Sequence, residues 1–211
     1  MSLNTEGPAL YRGDLPEFAA SAFRDAGRIA WDIETTGLDW RTDRLGLCQL
    51  YAPAAGVAVI QIAEDVPRNL VDLLSDPTVQ KVFHHAPFDL RFMTHHWEVE
   101  AESVRCTKVA SKLLRPEAPN SQHSLAPLVE QYLGVALAKG AVRTSNWQAA
   151  HLSREQVQYA VNDVLHLLPL HDLLQRRLRE VGRLELFDAC CSFLPARVQL
   201  DLMKAPDVFA Y

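Results

Sequence analysis

Ile29-Ala30-Trp31-Asp32-Ile33-Glu34-Thr35-Thr36-Gly37-Leu38 is the stretch on which the reading of this chain turns. It opens as a short apolar run of strand-forming residues, which predicts a buried strand. Side chains alternate along a strand, so Asp32 and Glu34 share one face. Two acids side by side at the end of a core strand are costly unless a cation neutralises them. A hard divalent ion does so, because Mg²⁺ and Mn²⁺ favour carboxylate oxygen. Thr35-Thr36-Gly37 then turns the chain away and leaves the two carboxylates at a sheet edge. Taken alone, the pair reads more readily as two acids facing water at a strand end, and acids elsewhere must decide.

Outward from this strand, residues 1–10 read as a loose leader and a short helix around Leu15–Ala26 ends near Gly27. Strand-like runs follow at Arg28–Glu34, Leu45–Tyr51 and Val57–Ile62, with a tight Pro53–Gly56 connection that makes the second and third antiparallel. Asn69–Leu74 predicts a helix stopped by Asp76-Pro77. Lys81–His85 gives a fourth strand, Pro87 opens a helix, and Val104–Thr107 gives a brief fifth strand. Helical spacing then continues to about residue 193. The expectation is one α/β layered domain over residues 11–211, with a mixed five-stranded sheet flanked by helices.

The totals narrow the function classes. With 211 residues, 48% of them apolar, the chain can bury one sizeable core. A net charge of −5 and a pI near 5.9 argue against a wide basic surface gripping long duplexes. They leave room for a nucleic-acid enzyme whose metal ions carry the local positive charge. Cys48, Cys106, Cys190 and Cys191 form no C-x-x-C pair and suggest no disulfide framework, which fits a reducing cytoplasm. No apolar run approaches the roughly 18 residues of a membrane span.

Two further acids stand out. Asp89 falls in the first turn of the helix that Pro87 begins, where a carboxylate complements the helix dipole. A strand-to-helix junction in an α/β sheet is also where ligands are met. In Leu152–Leu165, Ser153 and Gln156 make a capping-box start, and Val157, Ala160, Val161 and Val164 form an apolar stripe. Tyr159 and Asp163, four apart, project from one face beside that stripe. A Tyr–Asp pair bracing the core is the structural alternative. Pro169 should end or kink this helix before a second one, Leu170–Val181, closed by Gly182.

Together, Trp31-Asp32-Ile33-Glu34-Thr35-Thr36-Gly37-Leu38, His84-His85-Ala86-Pro87-Phe88-Asp89 and Tyr159-Ala160-Val161-Asn162-Asp163 resemble the three motifs of the DEDD exonuclease superfamily. Tyrosine four before the last aspartate matches the DEDDy branch; the DEDDh branch has histidine five before it, where this chain has Gln158. Ser124–Val135, and Lys139 followed by Arg143-Thr144-Ser145-Asn146-Trp147, resemble the corresponding parts of ribonuclease D. The family usually has Ser-Asp-Trp where Ser145-Asn146-Trp147 stands. The flanks Gly13-Asp14-Leu15-Pro16 and Phe193–Leu202 are similar to the small single-domain nano-RNase C group, so the expectation is a single domain without the helical HRDC domains of full-length ribonuclease D.

The resemblance implies a ribonuclease H-like fold and a 3′→5′ exoribonuclease that releases nucleoside 5′-monophosphates from short single-stranded RNA, down to dinucleotides. It implies that Asp32, Glu34, Asp89 and Asp163 hold two Mg²⁺ or Mn²⁺ ions about 3.5–4 Å apart. Tyr159 then orients the attacking water. For substrate it points to Thr35, Gly37, Leu38, His84, Phe88 and Trp147. Leu38 is either a wedge between the last two bases or a core residue. His84 is a substrate contact or a structural histidine. Trp147 is a stacking platform or an apolar anchor. Lys108, Lys112 and Arg115 share a helical face that is solvated or touches phosphate. Homo-oligomers, from a dimer to an octameric ring, and a cytoplasmic location belong to the same implication. Trimming of longer structured RNA, DNA 3′→5′ cleavage and a catalytically silent RNA-binding module are the competing readings.

Overall fold

Arg28–Thr35 is an inner strand of a six-stranded sheet. In the computed structural model, which describes residues 7–137, 145–205 and 208, the chain begins β1 (Ala9–Arg12), α1 (Glu17–Ala26), β2 (Arg28–Thr35), β3 (Leu45–Ala52) and β4 (Gly56–Gln61). It continues α2 (Arg68–Ser75), β5 (Gln80–Phe83), α3 (Ala86–Trp97), β6 (Val104–Cys106) and α4 (Thr107–Leu114). After a 3₁₀ turn at Asn120–His123 come α5 (Leu125–Leu133), α6 (Arg154–Leu165), α7 (Leu167–Glu180), α8 (Leu184–Ser192) and α9 (Leu194–Leu202). Strand order is β1-β4-β3-β2-β5-β6. The β2–β3 and β3–β4 pairs are antiparallel; β1–β4, β2–β5 and β5–β6 are parallel.

The mixed α/β architecture is the expected one, but the sheet has a sixth strand. Ala9 and Leu10, read from sequence as leader, pair in register with Ala58 and Val59 at the edge of the sheet. Four mostly exposed residues carry no alternation to reveal them, and their backbone hydrogen bonds go to a distant strand. Two strands stop early. His85 adopts left-handed backbone, φ 67°, which ends the extended run after Phe83 and turns the chain into α3. Thr107, read as strand, is the first residue of α4. The break between α6 and α7 falls at His166 rather than at Pro169. Proline clashes with the carbonyl four residues before it, so the helix yields upstream, and Pro169 occupies the first turn of α7, where its missing N–H costs no bond.

Alternation along β2 sorts its side chains onto two buried faces. Ile29, Trp31 and Ile33 enter the main core with Phe23 of α1, Leu73 of α2 and Phe92 of α3. On the other face, Ala30 packs with Val82, Val164 and Leu167, and Leu47 and Val59 meet Ala160, Val161 and Trp147. Helix α6 therefore lies across β2, β3 and β4 on the face that carries Asp32 and Glu34. All four cysteines are free thiols. Among the described residues, no helix is long and apolar enough to cross a membrane.

Candidate active site

Asp32 and Glu34 leave β2 two residues apart, and α6 brings Asp163 down onto them. Ligand oxygens of the three residues all lie within 4.8 Å of one another. The capping box fixes where α6 starts: Gln156 N–H donates to Ser153 Oγ at 3.2 Å and Ser153 N–H to Gln156 Oε1 at 2.9 Å. Two turns on, Tyr159 and Asp163 face the sheet together, and the phenol hydroxyl hydrogen-bonds the Asp163 carboxylate. The pair anticipated as a core brace is thus present at the acid cluster itself.

Asp89 stands just outside this group of three. It is 2% exposed in the first turn of α3 and accepts the Ile33 backbone N–H at 3.3 Å. Its charge nevertheless reaches both Asp32 and Asp163. Burial, and then the neighbouring carboxylates, hold Asp32 well above the ordinary range; burial does the same for Asp89 despite its backbone hydrogen bonds. Asp163 is pushed up to about 7 by burial, against the lowering effect of Tyr159. Burial and the surrounding acids raise Tyr159, so its hydroxyl stays protonated at neutral pH. Asp32, Asp89 and Asp163 form no ion pair with Lys or Arg among the described residues. Asp32, Asp89 and Asp163, reluctant to ionise, make with Glu34 an oxygen donor set suited to a hard divalent cation.

The remaining expected contacts divide. Leu38 is 83% exposed, so the core alternative is excluded. Thr35 follows a register irregularity after Glu34, and its Oγ1 donates to the Gly37 carbonyl at 2.6 Å. Gly37 has a reason within its own loop: a Cβ there would collide with the Asp43 carboxylate, which accepts the Asp39 N–H. Phe88 is half-buried, its ring 5.1 Å from that of Phe92. Trp147 is 1% exposed between Leu47, Val59 and Ala160, with its ring 6.0 Å from that of Tyr159, so it is the apolar anchor and offers no free face to a base. It packs so closely on β3 that a Cβ on Gly46 would lie 2.6 Å from the Trp147 Cβ.

His84 is the structural alternative too. Thr107 Oγ1 donates to the Phe83 carbonyl at 3.2 Å, so it accepts from His84 Nδ1–H at 2.8 Å. Burial, then Lys108, drive the imidazole pKa down to about 3, so it brings no charge to a phosphate. Asn146, where the family pattern has aspartate, uses Oδ1 to accept the Gln148 N–H at 3.0 Å, a bond that needs an oxygen but no charge. Lys139, Arg143 and Thr144 lie outside the described residues.

Sequence reading passed over Gln49, which donates Nε2–H to Asp32 Oδ2 at 2.6 Å from the facing position on β3. Only the strand register reveals it. A cleft of about 670 Å³ lined by Arg12, Arg44, His96 and Trp147 opens beside Leu45, the partner of Thr35. None of the four acids lines it.

An α/β domain that sets a helical Tyr–Asp pair over two carboxylates of an inner strand has the layout of a ribonuclease H-like nuclease. A 3′-5′ exonuclease family model matches residues 12–179, and the chain belongs to that family. Ribonuclease D of Haemophilus influenzae is 33% identical over 150 residues, which are 71% of this chain and 37% of that protein. The chain thus spans about a third of the length of the curated ribonuclease D relatives it matches. Among solved structures, Brucella melitensis NrnC is 37% identical with a TM-score of 0.88, covering 96% of this chain and 98% of that one; a further structure of it has bound Mg²⁺. Escherichia coli RNase D is 26% identical with a TM-score of 0.77, covering 92% of this chain and 51% of that one.

Proposed function

We propose that this chain is a metal-dependent 3′→5′ exoribonuclease that removes nucleoside 5′-monophosphates from short single-stranded RNA, down to dinucleotides. The observation that carries the reading is the convergence of Asp32, Glu34 and Asp163 within 4.8 Å, with Tyr159 on Asp163. Asp32, Glu34, Asp89 and Asp163 are the residues to hold two divalent ions, Mg²⁺ or Mn²⁺, which supply Lewis-acid chemistry at the phosphoryl group when bound. Tyr159 keeps its proton and is a poor base, so it serves to hold the attacking water in line. Exposed Leu38 wedges between the last two bases, with Thr35 and the Gly37 peptide beside the terminal sugar. Phe88 supports the terminal base, while His84 and Trp147 brace the walls of the site from behind.

A Brucella melitensis NrnC structure is bound to pGG, and this supports the short-substrate reading. The ribonuclease D relatives favour a second reading, trimming of longer RNA 3′ ends. The four free thiols fit action in a reducing cytoplasm. We place homo-oligomers in the same proposal, from a dimer to an octameric ring; light scattering that shows a plain monomer removes that part.

The test offers labelled RNA dinucleotide, a roughly seven-residue RNA and a long structured RNA in parallel, with Mg²⁺, with Mn²⁺ and with EDTA. Fastest cleavage of the dinucleotide, abolished by EDTA and by Asp32→Ala, is expected. Trimming of the longer RNAs with accumulation of dinucleotide supports the second reading. Equal cleavage in EDTA overturns the metal site, and no cleavage at all leaves a binding module.

A further inference from the structure

Gln49 is fully buried, on the face of β3 that packs under α6. Its Nε2–H reaches Asp32 Oδ2 at 2.6 Å, across a directly facing strand pair. Its Oε1, equally buried, has no protein partner among the described residues. An amide so placed is a poor packing choice, since methionine fills nearly the same volume without a buried acceptor left over. It adds nothing to the strand ladder, which the backbone makes by itself. What it does is hold a carboxylate.

The chemistry of the group is equally specific. Lysine at this place would neutralise Asp32 and repel a divalent cation, and glutamate would add repulsion to an already crowded cluster. A neutral amide donor fixes the carboxylate and leaves its charge, and its second oxygen, for a ligand. Metal-binding groups are commonly oriented by such hydrogen-bonded partners. We propose that Gln49 is a positioning residue that locks Asp32 in the orientation in which it receives the divalent ion. This rests on the exonuclease reading above.

The test is Gln49→Met in the full chain, with Mn²⁺ binding followed by titration calorimetry and by the electron paramagnetic resonance of free Mn²⁺. The expected result is Mn²⁺ affinity about 10- to 100-fold weaker than wild type. The melting temperature in EDTA should be unchanged or higher, and kcat should fall while KM for RNA stays within about twofold. Gln49→Asn keeps the amide but is one methylene too short to reach Asp32, so it should lose affinity similarly, which keeps the test open if the methionine variant folds poorly. Wild-type Mn²⁺ affinity in either folded variant overturns the proposal, as does a lower melting temperature in EDTA with unchanged affinity, which marks a purely structural glutamine. Absence of Mn²⁺ binding by wild type overturns the metal-site reading instead.

Discussion

Tyr159 separates the two things a half-buried phenol can do beside a carboxylate. As a brace it would matter to stability; as a water-holding group it matters to turnover. Its hydroxyl shares a hydrogen bond with Asp163, and a single hydrogen bond of this kind contributes about 1 kcal/mol net. Orientation of a nucleophile at the reacting phosphorus weighs more, so the two roles predict different outcomes. Tyr159→Phe should melt within a few degrees of wild type and lose roughly 10²-fold or more in kcat. Single-turnover cleavage of labelled dinucleotide beside a thermal melt checks this; wild-type turnover would remove Tyr159 from the mechanism. Trp147, whose ring lies 6.0 Å from that of Tyr159, shows the limit of reading residues singly. Stacking platform and anchor look alike in sequence, and only burial between β3, β4 and α6 decides for the anchor.

Helix α6 is the element that turns strand chemistry into a site, since it alone carries both Tyr159 and Asp163. Its phase is set by Ser153, and Gln156 of the same capping box also donates to Ser145 Oγ and the Asn146 carbonyl, both at 3.1 Å. The cap therefore ties the start of α6 to the segment that carries Trp147. Loss of such a cap costs about 1 kcal/mol, which in a chain of this size is roughly 2–4 °C. Ser153→Ala should lower the melting temperature by that amount and reduce turnover less than Tyr159→Phe does. A melting temperature equal to that of wild type would mean that the cap is not formed in solution. This helix was legible in sequence because everything that defines it is local: cap, apolar stripe and a four-residue spacing. Strand β2 was legible for the same reason. What escaped depends on partners far along the chain. Strand β1 has no pattern of its own, and Gln49 gains meaning only from lying opposite Asp32. Asp89 was found by its motif, but its place just outside the close group of three was not, because that depends on how α3 docks.

At the scale of the whole molecule, the fold buries a group of acids at one point of the sheet, where burial above all resists their ionisation. Asp163 titrates near 7 in the folded chain against an ordinary value of 3.8, and Asp32 and Asp89 are shifted the same way. Between those two values the folded chain keeps a proton that the unfolded chain has released. Stability therefore falls as pH rises: the contribution of Asp163 is full below about 4 and lost above about 7. Two histidines, half-buried His84 and buried His171, act in the opposite sense. Burial depresses His84 to about 3 and His171 to about 4, so the unfolded chain takes up protons below about 6.5 and acid destabilises the fold. The overall stability curve blends these effects, and Asp163→Asn isolates one of them. In EDTA the variant should melt above wild type by a few degrees more at pH 8 than at pH 5, because the asparagine never ionises. Saturating Mg²⁺ should reverse the order at pH 8, raising wild type and leaving the variant nearly unmoved. Thermal melts of both proteins at the two pH values, with and without the ion, give the answer. A difference between the two proteins that is the same at pH 5 and pH 8 would mean that Asp163 ionises as freely as an exposed aspartate. The cluster would then hold no strain for a cation to relieve.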